Sequence, residues 1–176
     1  MIIDGDLKIT SFKIKVLLCG SKESGLNELF NDVIQGKMQT RIKDTFGINM
    51  IPKYLKIEDG LQVGVNLWNI PYDKRFSPVR QTFFRGTMGS MLFFDINNQE
   101  SWTAVKDWYK DIQEYSPNTK FVLVGYKFEE LQNIDIKPLK TWAEQNGGSF
   151  ATMEHQNLEQ FNNILKKLVK NVLKAQ

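Results

Sequence analysis

The sequence predicts a single α/β domain organised around a mostly parallel β-sheet. Short apolar runs alternate along the chain with segments in which apolar residues recur at helical spacing, a pattern typical of strand–helix–strand units. An Asp-Gly pair between two alternating apolar runs predicts one antiparallel hairpin. The length of 176 residues suits one domain with a substantial core.

Short apolar runs predict the strands of this sheet. The runs typical of strands buried on both faces are residues 12–19, 90–95 and 120–125. The hairpin is predicted from residues 48–57 and 61–68, and Asp59 with Gly60 forms its turn.

Apolar residues at helical spacing predict three amphipathic helices. Their apolar positions are, in chain order, Leu26, Leu29, Phe30, Val33 and Ile34; then Trp102, Val105, Trp108, Tyr109 and Ile112; and last Leu158, Phe161, Leu165, Leu168 and Val172. The second of these helices lies between two of the predicted buried strands, so it is expected to form a crossover between parallel strands.

Composition excludes several classes of protein. The net charge of +3 is too small to indicate a nucleic-acid-binding protein. Cys19 is the only cysteine, which excludes an internal disulfide, and its place at the end of an apolar run predicts a buried thiol. His155 is the only histidine, so no cluster of histidine and cysteine can ligate a metal.

Membrane-targeting signals are also absent from the sequence. No apolar stretch reaches the length of a transmembrane helix, no signal peptide opens the chain, and the C-terminal residues contain no cysteine for prenylation. We therefore expect a cytoplasmic protein that has no lipid anchor in this chain and reaches membranes only through a partner.

A glycine-containing stretch after the first predicted strand resembles a phosphate-binding loop. Gly20 and Gly25 have the spacing of the signature G-x-x-x-x-G-K-[ST]. In that signature the Lys reaches the β- and γ-phosphates, and the Ser or Thr ligates Mg²⁺. Leu26 and Asn27 stand at these two positions. The sequence therefore predicts the scaffold of the loop without its main cation and its usual metal ligand.

Further motifs follow in a defined order. They are Thr-Phe-Gly-Ile-Asn-Met at 45–50, Leu-Trp at 67–68, Arg-Phe at 75–76, Phe-Phe-Arg-Gly-Thr at 83–87, Phe-Asp-Ile at 94–96, Gln-Glu-Ser-Trp at 99–102 and Val-Leu-Val-Gly at 122–125. From about Lys13 to the end, the chain resembles a small GTPase of the Ras superfamily, closest to the Rab branch. This resemblance implies a P-loop NTPase-like G domain with a mostly parallel six-stranded sheet, one antiparallel hairpin edge and helices on both faces. We expect residues 12–176 to form this single Rab-like G domain and residues 1–11 to form an N-terminal extension.

The resemblance also implies which positions would contact nucleotide or metal. The cofactor-binding candidates are Gly20, Lys22, Gly25, Asn27, Thr45, Lys127 and Glu129. Lys22 is either a substitute cation or a solvated loop lysine. Asn27 offers an amide oxygen, and Thr45 matches the first-switch Thr that senses Mg²⁺ and the γ-phosphate, so these two are the metal candidates.

The second switch departs from the family pattern Asp-x-x-Gly-Gln, because it reads Asn-Ile-Pro-Tyr-Asp at 69–73. Asn69 replaces the Asp that acts on Mg²⁺ through water, and Tyr72 replaces the Gly whose N–H meets the γ-phosphate. Pro71 removes a further donor. Asp73 stands where the water-orienting Gln is expected and is the one candidate for a catalytic base, although its carboxylate would be repelled by a γ-phosphate.

The guanine-reading pattern Asn-Lys-x-Asp reads Tyr-Lys-Phe-Glu at 126–129. Glu129 keeps the charge but changes the reach of the carboxylate, and Lys127 keeps the stem that covers a base. Tyr126 either stacks on a purine or fills the base pocket. The family's last motif, Ser-Ala-Lys, is missing, and Phe-Ala-Thr-Met-Glu at 150–154 is expected after the last strand in its place.

Two classes of function fit this combination. The first is a pseudo-GTPase, a Rab-like module that binds proteins and needs no cofactor. The second is a divergent GTP-binding switch in vesicle trafficking or signalling, using GTP or GDP with Mg²⁺, in which Lys22, Asn27 and Asp73 take over the lost roles. We favour the first, with weak or absent GTP hydrolysis, because each lost charge-assisted hydrogen bond is worth about 1.5–3 kcal/mol.

A protein partner is expected at an apolar patch between the two switches, where Rab-like proteins receive helical partners. The residues that align with this patch or flank it are Met50, Trp68 and Phe83, with Phe46, Ile48 and Phe76 beside them. The alternative is that these large apolar side chains belong to the core. If the patch is real, Trp68 should be partly exposed.

Overall fold

The computed structural model describes residues 8–31, 48–127 and 135–176 of the chain. Six strands form one sheet in the order β2-β3-β1-β4-β5-β6. The strands are β1 Lys8–Gly20, β2 Asn49–Glu58, β3 Leu61–Asn69, β4 Gly89–Asp95, β5 Lys120–Tyr126 and β6 Ser149–Met153. Every pairing is parallel except that of β2 with β3, which places the single antiparallel pair at one edge of the sheet.

The hairpin forms where the Asp-Gly pair predicts it. Met50 lies opposite Trp68, and Glu58 lies opposite Leu61 at the end of the ladder. Gly60 has φ +80°, in the left-handed region that side chains with a Cβ rarely adopt. The turn therefore fixes the register of β2 on β3, and with it the face to which each side chain points.

β1 begins earlier than the sequence predicts. It starts at Lys8 and pairs with the beginning of β3 before its register shifts between Ile9 and Lys13. The expected strand, residues 12–19, is the regular part that follows this irregularity. The division into an extension at 1–11 and a domain at 12–176 stays a prediction.

The described residues contain five α-helical segments. They are α1 Leu26–Glu28, which continues as a wider helical turn at 29–31, α2 Ser77–Phe84, α3 Gln99–Tyr115, α4 Lys137–Gln145 and α5 Leu158–Lys174. α3 begins where the Asn98 side chain accepts hydrogen bonds from the N–H groups of Glu100 and Ser101. None of the described helices combines the length and apolar character needed to cross a bilayer.

Two clusters of buried apolar side chains lie on opposite faces of the sheet. One joins the sheet to α1 and α5, and includes Leu26 and Phe161. The other joins it to α2, α3 and α4, and includes Phe84, Trp108 and Ala143. Helices therefore cover both faces, and the predicted fold class is confirmed.

Two details differ from the sequence prediction, and one agrees with it. α4 was not predicted from the sequence; it spans only nine residues, and Ala143 is its only fully buried residue. Residues 150–153 do not follow the last strand but belong to β6 itself. The Cys19 thiol is buried as predicted, and this burial raises its pKa.

A buried arginine joins α2 to α3. Arg80 is only 7% exposed, and its Cζ lies 4.5 Å from the ring centroid of Trp108 and 5.3 Å from that of Tyr72. One terminal nitrogen lies 3.7 Å from an Asp111 carboxylate oxygen, and the other donates to the Asp73 carbonyl at 3.1 Å. We call Arg80, Tyr72, Trp108 and Asp111 the Arg80 cluster.

The rest of the Arg80 cluster orients the segment before α2. The Tyr72 hydroxyl donates to an Asp107 carboxylate oxygen at 3.1 Å, and its ring packs 5.7 Å from that of Trp108. Partial burial is the main reason that the pKa of the Tyr72 hydroxyl is raised, and burial likewise raises the pKa of the Asp111 carboxyl. The cluster thus fixes the segment from Tyr72 to α2 against α3 through aromatic, ionic and backbone contacts together.

We expect Arg80→Ala to lower the free energy of unfolding by about 2–4 kcal/mol, because it removes a desolvated cation together with its ring contacts. Val79→Ala on the same helix is the matched control and should lose less than about 1 kcal/mol, since Val79 is 45% exposed. Urea denaturation of both variants measures the difference. An Arg80→Ala variant as stable as the parent would show that the cluster does not fix α2.

Candidate functional site

The candidate site lies at the edge of the sheet where the parallel strands end. Gly20, Asn69, Asp95 and Tyr126 are the last residues of β1, β3, β4 and β5. In open α/β sheets this edge is the usual place for a ligand. A cavity of about 180 Å³ opens here. It is lined by Gly20, Ser21, Lys22, Leu26, Asn27, Asn69, Ile70, Pro71, Tyr72 and Asp73.

The loop between Gly20 and Gly25 is filled by its own side chain. Ser24 is fully buried, and its Oγ donates to the Ser21 carbonyl at 2.6 Å. The same Oγ accepts the Leu26 backbone N–H at 3.2 Å, while the Ser24 N–H donates to the Ser21 carbonyl at 3.2 Å. Two backbone donors that a phosphate-binding loop directs at an anion are therefore engaged within the loop.

The position of the expected phosphate-binding lysine is part of the core. Leu26 is 2% exposed and packs in the cluster on the α1 and α5 face, as the apolar stripe predicts. The next residue, Asn27, is exposed, and its Oδ1 accepts a hydrogen bond from Asn69 Nδ2 at 3.4 Å. The amide oxygen predicted as a metal ligand is thus directed at a neighbouring amide.

Tyr126 covers the second glycine of the loop. Gly25 has φ +77°, and a Cβ built on it would lie 2.7 Å from Tyr126 Cε1 and 3.3 Å from Lys127 Cε. The Tyr126 ring is fully buried, and its hydroxyl accepts the Gln156 N–H at 3.0 Å. Of the two predicted roles for Tyr126, the structure favours the one in which its ring fills space beside the loop.

Lys127 and Asp73 are both held by opposite charges. Lys127 Nζ lies 3.2 Å from an Asp95 carboxylate oxygen. Arg75 Nε donates to both Asp73 oxygens, at 3.2 Å to Oδ1 and 3.0 Å to Oδ2, and a terminal nitrogen of Arg75 donates to Oδ2 at 2.7 Å. These hydrogen bonds from Arg75 lower the pKa of the Asp73 carboxyl, which makes it a poorer proton acceptor. The catalytic role of Asp73 stays a prediction.

Two buried polar atoms on the cavity wall have no hydrogen-bond partner among the described residues. They are Ser21 Oγ and Asn69 Oδ1, in residues that are each 5% exposed. Both can accept a hydrogen bond from water in the cavity. No group of three His, Cys, Asp or Glu residues in the described ranges could hold a metal ion.

The described residues do not fit a nucleoside triphosphate with Mg²⁺. Leu26 is buried where the phosphate cation belongs, Ser24 takes the Leu26 N–H, and Asn27 and Asn69 bond each other where the metal would be held. Lys22 is exposed beside the cavity and is the cation of the loop that remains available to an anion. Over the described ranges, the arrangement can bind water and a small anion at Lys22, but it does not supply the cation and the metal ligand of the phosphate-binding signature.

Three predicted site residues, Thr45, Phe46 and Glu129, lie outside the described residues. Their predicted roles in metal, partner and nucleotide binding stay predictions. The remaining nucleotide candidates gather at the carboxyl edge of the sheet, where Gly20 and Lys22 line the cavity and Lys127 lies over Gly25.

The predicted partner surface is only partly exposed. Met50, Trp68, Phe76 and Phe83 are half-buried, and the Trp68 and Phe83 rings lie 5.9 Å apart. Ile48, predicted to flank this surface, is 5% exposed and packs in the core cluster that contacts α2, α3 and α4, and its role in partner binding stays a prediction. We call Met50, Trp68, Phe76 and Phe83 the apolar patch.

Sequence reasoning missed two residues that shape the site. Ser24 is hard to recognise from the sequence, because serines in loops commonly form hydrogen bonds with nearby backbone and do not mark a particular site. Arg80 gives a clearer signal, because it interrupts the helical spacing of Phe76, Phe83 and Phe84 at a position that should be apolar.

Comparison with known proteins agrees with the fold. A family model described as "Ras family" matches residues 15–174. The chain is 26% identical over 168 residues to the Ras-related protein rab-11.1 of Caenorhabditis elegans, covering 92% of this chain and 79% of that one. It is 28% identical over 142 residues to the GTP-binding protein yptV5 of Volvox carteri, covering 76% and 69%. It is 24% identical over 165 residues to the Ras-related protein Rab5A of Oryza sativa subsp. japonica, covering 92% and 81%. Because the family match spans nearly the whole chain, this protein belongs to the Ras family and is a Rab-like homologue of small GTPases.

Proposed function

We propose that this chain is a pseudo-GTPase, a Rab-like module that binds other proteins and does not cycle with GTP. The observation that carries the proposal is the interior of the loop from Gly20 to Gly25. Ser24 engages the loop's own donors, Leu26 is buried in the core, and Tyr126 covers Gly25. A phosphate would have to displace all of these contacts to enter.

Electrostatics support the same proposal. The anionic phosphate chain needs cations and oriented N–H donors in a desolvated site. On the described part of this edge, Lys127 is paired with Asp95 and Arg75 is paired with Asp73. The Asp73 carboxylate lines the cavity and adds a negative charge where a γ-phosphate would lie. The proposed protein therefore works without GTP, GDP or Mg²⁺.

The alternative is a divergent GTP-binding switch. The printed name of one relative, a GTP-binding protein, favours it. Lys22 and Asn27 also line a cavity that could take part of a ligand. In this alternative the loop opens on binding, so that Ser24 releases the Leu26 N–H.

The proposed working surface is the apolar patch. Trp68 and Phe83 contribute aromatic side chains of the kind that dominate the binding energy of protein interfaces. Trp68 is carried by β3 and Phe83 by α2, so the two rings meet across two rigid elements. We propose that a protein partner docks here.

The first test asks whether the protein binds a guanine nucleotide. We expect the purified protein to release no GDP or GTP on denaturation, and GTP with Mg²⁺ to leave its melting temperature unchanged. A ligand at 100 times its Kd stabilises the native state by about 2.7 kcal/mol, which would raise the melting temperature by several degrees. ATP serves as the control ligand. Leu26→Lys alone should not restore binding, because the other contacts remain. A saturable shift with GTP that exceeds the shift with ATP would favour the alternative.

The stability of the free protein is the second test. We expect one cooperative unfolding transition that neither EDTA nor charcoal treatment changes. Tyr126→Ala should lower the free energy of unfolding by about 3–5 kcal/mol, because it leaves a cavity beside Gly25. Tyr126→Phe is the matched control and should lose about 1 kcal/mol with the hydroxyl that bonds Gln156. Aggregation after EDTA treatment would mean that a bound metal or nucleotide supports the fold.

The third test asks whether the apolar patch binds a protein partner. We expect Trp68→Ala to abolish the capture of a protein partner from lysate while lowering the melting temperature by only a few degrees, since one aromatic pair is worth about 1 kcal/mol. Trp142→Ala is the matched control, because Trp142 is half-buried among Trp102, Tyr109 and Phe121 on another part of the molecule. It should lose stability and keep the partner. If Trp68→Ala unfolds the protein, Trp68 is a core residue and the patch loses its main anchor.

A further inference from the structure

One sheet face beside the apolar patch carries lysines stacked on aromatic rings. Lys13 Nζ lies 5.8 Å from the Tyr54 ring centroid, and Lys15 Nζ lies 5.0 Å from the Trp68 ring centroid. Tyr54 is 54% exposed, which makes it one of two exposed large apolar side chains among the described residues. We call Lys13, Lys15, Tyr54 and Trp68 the lysine–aromatic face.

The strand register brings these four residues to one side of the sheet. Lys13 pairs with Gly64 of β3, and Tyr54 of β2 pairs with the same glycine from the other side. Gly64 leaves room for both, since a Cβ there would lie 3.0 Å from Lys13 Cγ and 3.5 Å from a Tyr54 ring carbon. Side chains two residues apart on a strand share a face, so Lys15 and Trp68 continue the same surface.

Within the described ranges, Lys13 and Lys15 have no acidic partner. Among the described residues, neither Lys13 nor Lys15 forms an ion pair, and the alternate positions of the three strands from Lys13 to Leu17, Gln62 to Trp68 and Met50 to Lys56 include no Asp or Glu. Lys15 donates to the Arg85 carbonyl at 3.0 Å and is half-buried, and this burial lowers the pKa of its ammonium group. A carboxylate from a partner would stabilise the charged form of Lys15, whose desolvation no acidic group among the described residues offsets.

We propose that the lysine–aromatic face receives an acidic amphipathic helix of a partner protein, whose carboxylates pair with Lys13 and Lys15 while its apolar side chains reach Trp68. The inference rests on the proposed function as an interaction module and adds the chemistry of the partner. Lys13 and Lys15 are two residues apart on one strand, or about 6.6 Å. Carboxylates four residues apart on a helix are separated by about 6 Å, so one helical turn matches the two lysines.

The same geometry sets the length of the docked helix. Tyr54 lies opposite Gly64, four strand residues from Trp68 on β3, which is a distance of about 13 Å. A helix covers that distance in roughly nine residues. An anionic bilayer fits this surface less well, because the hairpin tip beside Tyr54 carries Glu58 and the fully exposed Asp59.

A phage-displayed library of helical peptides, selected on the full chain and counter-selected on Trp68→Ala, tests the proposal. We expect enrichment of peptides with Asp or Glu four residues apart beside apolar residues. The affinity of an enriched peptide should fall with added NaCl and should fall at least about tenfold in a Lys13→Glu/Lys15→Glu variant, because charge reversal repels the carboxylates. The matched control is Lys167→Glu/Lys170→Glu, two exposed lysines on α5, which should leave the affinity unchanged.

The outcomes separate the inference from the function on which it rests. Enriched peptides that need Trp68 for binding but carry neutral or basic residues beside their apolar residues would overturn the proposal of an acidic partner. They would leave the proposed docking role of the patch intact. No enrichment over Trp68→Ala would overturn both. Phosphatidylserine vesicles that bind more tightly than any selected peptide would overturn the inference in favour of a membrane surface. The nucleotide content of the same samples reports separately on the pseudo-GTPase assignment.

Discussion

The parallel alignment of β1, β3, β4 and β5 is the constraint on which the rest of the molecule depends. Because these strands run in one direction, their last residues meet at one edge, and the loops that follow are brought together from distant parts of the sequence. The alignment is maintained by cores on both faces, which explains why β4 and β5, two strands of this set, are almost continuously apolar. The edge is thus preserved by packing that does not depend on what the edge binds.

This separation of scaffold and chemistry explains how a family fold can persist with altered loops. Where the family pattern has a Ser or Thr and an Asp, this chain has two amides that bond each other, Asn27 and Asn69. Within the loop, Ser24 bonds the backbone around it. Buried polar groups without partners are costly, so a loop without phosphate is expected to find internal partners. Two atoms at the cavity wall, on Ser21 and Asn69, are left over from this internal pairing.

How far the sequence predicts the structure depends on how local the signal is. The hairpin follows from Asp59 and Gly60, and the central strands follow from their composition, because both signals lie within a few residues. α4 was not predicted because it spans only nine residues, so Leu139, Trp142 and Ala143 give few repeats of its helical spacing. The Arg80 cluster and the burial of Ile48 depend on residues far away in the chain, since Arg80 meets Trp108 and Asp111 only after α3 packs on α2. Motif spacing located the candidate site, whereas the hydrogen bonds inside its loop required three-dimensional geometry.

The Arg80 cluster has a consequence for how strongly the apolar patch can bind. Phe76 lies directly before α2 and Phe83 lies within it, so a helix held on α3 presents these side chains in a fixed arrangement. A preorganised surface loses little conformational entropy when a partner docks. Under the proposed function, in which no nucleotide is needed, the apparent affinity for a partner would equal the intrinsic affinity, because nearly every molecule would be in the binding-competent state. For such a protein, the amount of partner that is bound would depend on the cellular concentration of the chain. It would not depend on a switch of the chain between two conformations.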